Sequence, residues 1–268
     1  MEWTPAPQLY PPYLRARIRR GRGVGSGKSY VPWLRVRDVP SRGTSSVLLG
    51  VVIPRSFHFL SELETTYFFL VERRPDTVDV QEQWPILDIE GTLTLASQLG
   101  VRHPKRRGYP EPFTIDLLIT SRIDGQLRYR AASIKTKEDA QNPAVKQRLA
   151  VEYLWCKSKG IPWTLVDTSS FTKVTLDNLR FARSWFRQRF EPEPACVHDF
   201  ARVFLQSYRT NVPLLDLIGN AAKALRLPEA TAQDLFRYCA WTDEIPITLS
   251  QPLALNRPLV LRKVHGRP

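Results

Sequence analysis

Residues 113–137, FTIDLLITSRIDGQLRYRAASIKTK, read as two strands joined by a two-residue turn. Asp124-Gly125 carries the turn, because a type I′ hairpin needs φ > 0 at both central positions, which Gly adopts freely and Asp tolerates. With the turn at 124 and 125 and no bulge, Asp116 lies opposite Ser133 and Thr114 opposite Lys135. Side chains alternate along a strand, so Asp116, Ser133 and Lys135 share one polar face. Phe113, Ile115, Leu117 and Ile119, with Ala132 and Ile134, form the apolar side that a core would cover.

A carboxylate and an ammonium meeting across a hairpin have two readings. One is an ion pair on a solvated sheet face, worth roughly 0.2–1 kcal/mol. The other is a metal-dependent phosphodiesterase site, in which Asp116 binds a hard divalent cation and Lys135 stabilises charge or positions the attacking water. An Asp, a hairpin and then x-x-Lys is the layout of the PD-(D/E)xK nucleases, but Ser133 stands where that pattern has Asp or Glu. On these residues alone both readings stay open.

The chain has 268 residues, 43% of them hydrophobic, which is enough for a substantial core in one or two domains. No apolar run reaches 18 residues and the first residues lack a signal-peptide pattern, so a soluble, intracellular protein without membrane contact is expected. Thirty-nine Lys and Arg against 26 Asp and Glu leave a net charge of +13, the footprint of a polyanion binder, with nucleic acid the foremost candidate. Cys156, Cys196 and Cys239 are isolated, which excludes a disulfide framework or a CxxC zinc site and suggests buried thiols.

Residues 1–28 read as a basic arm. Arg15, Arg17, Arg19, Arg20 and Arg22 fall within eight positions, followed by Lys28, and a second cluster, Lys105, Arg106 and Arg107, follows His103. Either is a solvated run or a set of DNA-phosphate contacts. Residues 30–37 and 46–53 read as strands, with a turn at 40–43, and 76–88 as extended. Ser61 with Glu64 three positions on forms a capping box at a helix start, so Glu64 is either a cap or a metal ligand beside the hairpin. A helix over 144–159 turns Leu149, Tyr153 and Cys156 inward and ends at Gly160. Glu152 on it is an ordinary surface glutamate or an outer carboxylate facing Lys135. A buried strand over 161–167 completes strand, helix, strand, an α/β sheet. Beyond 168, four helices are expected over 175–190, 197–208, 214–225 and 230–241, then a hairpin over 246–264, together winged-helix-like.

In order, GRGVGSGKSYVPWL (21–34), VPSRG (39–43), LSELE (60–64), QEQWPIL (81–87), His103-Pro104, TID (114–116), Ile134-Lys135 and GIPW (160–163) resemble the TnsA family. These are the transposon end-cleaving endonucleases that work beside a DDE transposase in Tn7-like elements. The resemblance covers roughly residues 20–167. It implies a restriction-endonuclease-like (PD-(D/E)xK) domain over 29–167 and a mostly helical partner- and DNA-binding domain over 168–268. It places catalytic roles on Glu64, Asp116 and Lys135, with a further glutamate falling on Glu152, and Mg²⁺, replaceable by Mn²⁺, on Glu64 and Asp116. Where the family carries Gln two residues before the lysine this chain has Ser133, so its backbone carbonyl or the neighbouring Ile134 carbonyl is a candidate ligand instead. It further implies cleavage at the 5′ ends of an element, with double-stranded DNA at transposon ends, a TnsB-like DDE transposase and a TnsC-like AAA+ regulator as partners, in a bacterial cytoplasm and on the nucleoid when assembled. The alternatives are a self-sufficient restriction or repair nuclease and a DNA-binding subunit with a decayed site.

Overall fold

The computed structural model describes residues 10–39, 44–188 and 190–262, and the turn expected at 40–43 lies outside them. The chain divides into two units, residues 1–72 with 76–169, and 73–75 with 170–268.

In the first unit, helix α1 (Pro12–Arg19) opens on a proline, whose fixed φ suits a first helical turn. Its Leu14 and Ile18 pack with Tyr10, Trp33 and Leu87. Strands β1 (Ser46–Leu49) and β2 (Ser56–Phe59) pair antiparallel, and helix α2 (Glu62–Glu72) lays Phe68 against Phe57 and Phe59, ring centroids 4.6 and 4.7 Å away. Next come β3 (Thr77–Pro85), helix α3 (Ile89–Gln98) and a small pair, β4 (Lys105–Arg106) with β5 (Tyr109–Pro110). The hairpin β6 (Thr114–Ile123) and β7 (Gln126–Ile134) follows, then helix α4 (Lys137–Gln141), helix α5 (Pro143–Ser158) and strand β8 (Trp163–Val166). The main sheet runs β3-β6-β7-β8, antiparallel except for the last pair, which α5 connects as a parallel crossover.

The hairpin has the expected register. Leu117 faces Ala132 and Ile123 faces Gln126, while Asp124 and Gly125 take φ of 50° and 75°. Its polar face, however, is not solvated at the base. Leu118 and Ala131, on the Asp116 side, are buried with Val151, Trp155 and Cys156 of α5, because the crossover helix lies on that side.

The second unit contains α6 (Lys173–Arg183), a 3-10 turn (Ser184–Gln188), α7 (Pro194–Ser207), α8 (Leu214–Leu225) and α9 (Glu229–Thr242). Phe200, Phe204, Leu217, Leu235 and Phe236 are buried in it. Asn178 anchors the terminal segment by donating to the Leu249 and Gln251 carbonyls and accepting from Leu253 N–H.

Several expectations are corrected. Residues 30–37 form no strand; Val31 makes one bridge to Arg22 and 36–38 form a 3-10 turn, Pro32 having no N–H to donate. The terminal hairpin is reduced, among the described residues, to one bridge, Ile247 with Leu261, flanked by hydrogen bonds from Thr248 N–H to the Val260 carbonyl and from Arg262 N–H to the Pro246 carbonyl, since prolines 246, 252 and 258 interrupt any longer ladder. Strand β8 is half exposed rather than buried, being the sheet's edge. Residues 10–28 are not an independent arm, because α1 packs on Trp33 and Leu87 and the glycine-rich turn after it bonds to β3. Cys196 is exposed, whereas Cys156 and Cys239 are buried. Among the described residues no helix is long and apolar enough to cross a membrane.

Candidate active site

Asp116, near the start of β6, and Lys135, just past the end of β7, meet through the hairpin register. Lys135 Nζ donates to Asp116 Oδ2 at 2.6 Å and to the Ile134 carbonyl at 3.0 Å, and Ile134 N–H donates to the same Asp116 oxygen at 2.6 Å. Thr168 Oγ1 donates to the Lys135 carbonyl, fixing the strand end. Burial pulls the lysine pKa down, but the charge and hydrogen bond of Asp116, with Glu152 and Glu64 behind, outweigh it and raise the pKa overall. The lysine is therefore an ammonium at neutral pH.

Glu64 is both a cap and a member of this cluster. Its N–H donates to Ser61 Oγ, and its carboxylate accepts from Ser61 Oγ, Leu60 N–H and Gln83 Nε2. Burial, then the charge of Asp116, pushes its pKa up to about 7. Gln83, whose φ is 48°, is a positioning residue; it lies within the QEQWPIL motif, but the motif alone assigns it no role, and the unusual backbone at a strand position is what sets it apart.

The surface reading of Glu152 is overturned, since the side chain is only 2% exposed, while Tyr153, expected inward, is 43% exposed and packs edge-on against Trp163. Helix α5 buries the stripe Leu149, Glu152, Cys156 instead of Leu149, Tyr153, Cys156. The carboxylate accepts from Ser133 Oγ at 2.6 Å, and Ser133 Oγ in turn accepts from Trp163 Nε1 at 3.1 Å. Burial raises the Glu152 pKa to about 7, opposed by Arg148 and assisted by Asp116. Ser133 thus holds Glu152 from the position where the pattern would have a metal ligand. Beside Lys135 opens a cleft of about 640 Å³, lined by Leu63, Thr136, Gln141, Leu165 and Asp167 among others.

Residues 74–168, which contain Asp116, Lys135 and Glu152, match the family described as TnsA-like endonuclease N terminal. Over this stretch the chain is similar to the TnsA-like endonucleases. The chain is also 32% identical over 168 residues to the transposon Tn7 transposition protein TnsA of Escherichia coli, an alignment covering 63% of this chain and 61% of that protein. The resemblance drawn from the ordered motifs is borne out.

Around the TnsA-like domain the two basic clusters are neighbours, with Tyr13 of α1 stacked on Tyr109 of the small β4–β5 pair at 6.0 Å. Their arginines divide into two kinds. Arg17 is paired with Glu111, donates to the Trp33 carbonyl and lies 3.7 Å above the Trp33 ring, and Arg22 is paired with Asp38. Both are engaged by acidic partners of the chain itself. Arg19, Arg20, Lys28, Lys105, Arg106 and Arg107 are exposed, and Arg15 is half-buried. His103 is buried between Thr92 Oγ1 and the Pro104 carbonyl, edge-on to Phe113, a structural histidine.

Proposed function

We propose that the chain is a divalent-metal-dependent DNA endonuclease that cuts the 5′ ends of a transposon as one subunit of a heteromeric cut-and-paste transposase. The observation that carries this reading is the Lys135 ammonium held 2.6 Å from Asp116 beside an open cleft, with Glu64 and Glu152 near enough for their charges to bear on the pair. A restriction-endonuclease-like core accounts for the layout: an acid on the first hairpin strand, a lysine ending the second, and a helix crossing to a parallel strand.

The donor set fits a hard cation. Asp116, Glu64 and the Ile134 carbonyl offer oxygen only, and two buried carboxylates that repel each other gain from a shared divalent ion. Among the described residues no three Asp, Glu, His or Cys side chains gather as a metal-binding group, so the protein would supply few ligands and leave the other positions to water and phosphate oxygens. Bound Mg²⁺, or Mn²⁺ in its place, would supply Lewis-acid stabilisation and a water of lowered pKa.

The chain's own groups then have separate tasks. Lys135 keeps its proton and presents positive charge where the scissile phosphate gains negative charge. Gln83 and Ser61 orient Glu64, and Ser133 orients Glu152, which bears on Lys135 through its charge. The exposed basic residues Arg19, Arg20, Lys28, Lys105, Arg106 and Arg107, with the half-buried Arg15, neutralise backbone phosphates and contribute no base reading. The resemblance to TnsA supplies the rest of the proposal: 3′ cleavage and joining by a TnsB-like transposase, and docking of residues 168–268 on a TnsC-like regulator.

The test is strand-specific cleavage of a labelled transposon-end duplex in Mg²⁺, with the matching transposase added or withheld. A 5′ cut that needs both the partner and Asp116 supports the proposal. A cut by the chain alone makes it a self-sufficient nuclease, and no 5′ cut while the partner still cuts 3′ ends makes it a binding subunit.

A further inference from the structure

Further along the same side of the sheet, a second cavity of about 450 Å³ lies between the glycine-rich turn 23–27 and the strands β3, β6 and β7. The turn's sequence, Gly25-Ser-Gly-Lys-Ser29, has the look of a phosphate cradle, whose backbone N–H groups point at an anion. The structure assigns it otherwise. Gly27 N–H is already donated to Asp79 Oδ2 at 2.8 Å, so the protein's own carboxylate holds the anion's place, and Gln81 Nε2 donates to the Gly25 carbonyl at 2.8 Å.

Each of these side chains has a second oxygen that remains. Asp79 Oδ1 and Gln81 Oε1 are both shielded from solvent and have no hydrogen-bond partner, on residues 8% and 1% exposed that line the cavity. Two orphaned acceptors, one charged, call for a cationic donor. The other walls include Val24, Val78, Trp84, Leu127 and Tyr129, which suit an aliphatic stem and a flat cation against an aromatic face, with Ser26 and Thr120 adding hydroxyls.

We infer that this cavity is a binding pocket for the guanidinium of an arginine side chain carried by a partner polypeptide. The planar fork of five N–H donors can satisfy acceptors on two side chains of one strand at once. The proposal is independent of the chemistry assigned to Asp116, because no residue of that cluster lines the pocket.

The test follows the amide resonances of Gly25 and Gly27 in the full chain while N-acetyl-arginine N-methylamide is added. Saturable shifts are expected, at least fivefold weaker with the neutral isostere N-acetyl-citrulline N-methylamide and lost in Asp79→Asn, which can keep the Gly27 bond but turns an N–H₂ toward the cavity. In register opposite Asp79 stands Thr120, and Thr120→Arg is expected to fill the pocket from within, abolishing probe shifts and raising Tm. Equal binding of the citrulline probe, no saturable shift, tighter binding of free arginine than of the blocked unit, the same shifts from Mg²⁺ or K⁺ alone, or a Thr120→Arg protein that still binds the probe would each overturn the assignment.

Discussion

Asp116 and Asp79 lie on the same side of one sheet and are almost equally buried, 7% and 8% exposed, yet their surroundings are opposite. Asp116 receives an ammonium and a backbone N–H on one oxygen, in a cluster with two further carboxylates. Asp79 receives a single backbone N–H and faces a cavity with one oxygen unmet. The first arrangement is overfull of negative charge despite its lysine, which suits a site that recruits a multivalent cation. The second lacks one donor, which suits a socket for a cationic side chain. Burying a carboxylate decides little; the sign and geometry of what is left over decide what the site takes up.

The strongest way to break this contrast is Asp116→Ala, which is expected to reduce 5′ cleavage by about 10³-fold or more while DNA affinity stays within a few fold. Lys135→Ala should reduce it by about 10²–10³-fold with the same binding profile. Full turnover in either variant would return the pair to a structural ion bridge. Ser133→Ala removes the hydroxyl between Glu152 and Trp163 and is expected to lower cleavage by about 10–100-fold, with partial recovery in Ser133→Thr. An unchanged rate would mean that Glu152 needs no positioning.

Stability sharpens the contrast further. Arg17→Ala uncovers the buried face of Trp33 and leaves the Glu111 carboxylate with Trp33 Nε1 as its remaining donor, and should cost about 2–4 kcal/mol in urea unfolding, while Arg19→Ala should stay within about 0.5 kcal/mol yet reduce the salt dependence of DNA binding by about one phosphate contact. Glu152 gives the most pH-dependent effect. Its folded pKa, about 7, lies above the usual glutamate value, chiefly through burial, so its favourable contribution is complete below the unfolded pKa and is lost as pH rises through 7. Metal-free Glu152→Gln should therefore be more stable than the parent at pH 8, by roughly 1–3 kcal/mol, and indistinguishable near pH 4. Lower stability of the variant at pH 8 would show that Lys135 and Arg148 keep the carboxylate comfortably ionised.

Much of this was legible from local chemistry. The Asp-Gly turn set the hairpin register and brought Asp116 to Lys135, and Pro and Gly signals bounded the helices closely, with α8 falling over 214–225 as read. Which side of α5 is buried was not legible, because an aromatic at 153 is ordinarily the better core candidate and a glutamate at 152 the better surface one. A site reversed that preference, at the cost of a raised pKa. The arginines at 17 and 22 looked the same as those at 19 and 20, since a run of charge in sequence does not reveal which members find an acidic or aromatic partner.

The sequence by itself determined the turns, caps and alternations, because φ preferences and the periods of strand and helix act over a few residues. It also sufficed to bring out the family through ordered motifs. Only the tertiary structure decided that Glu152 is held by Ser133, that Glu64 is held by Gln83, and that Asp79 rather than a phosphate engages Gly27. Those pairings join residues 19 to 52 positions apart, and burial and electrostatics at such separations depend on which surfaces the packed sheet and helices bring together.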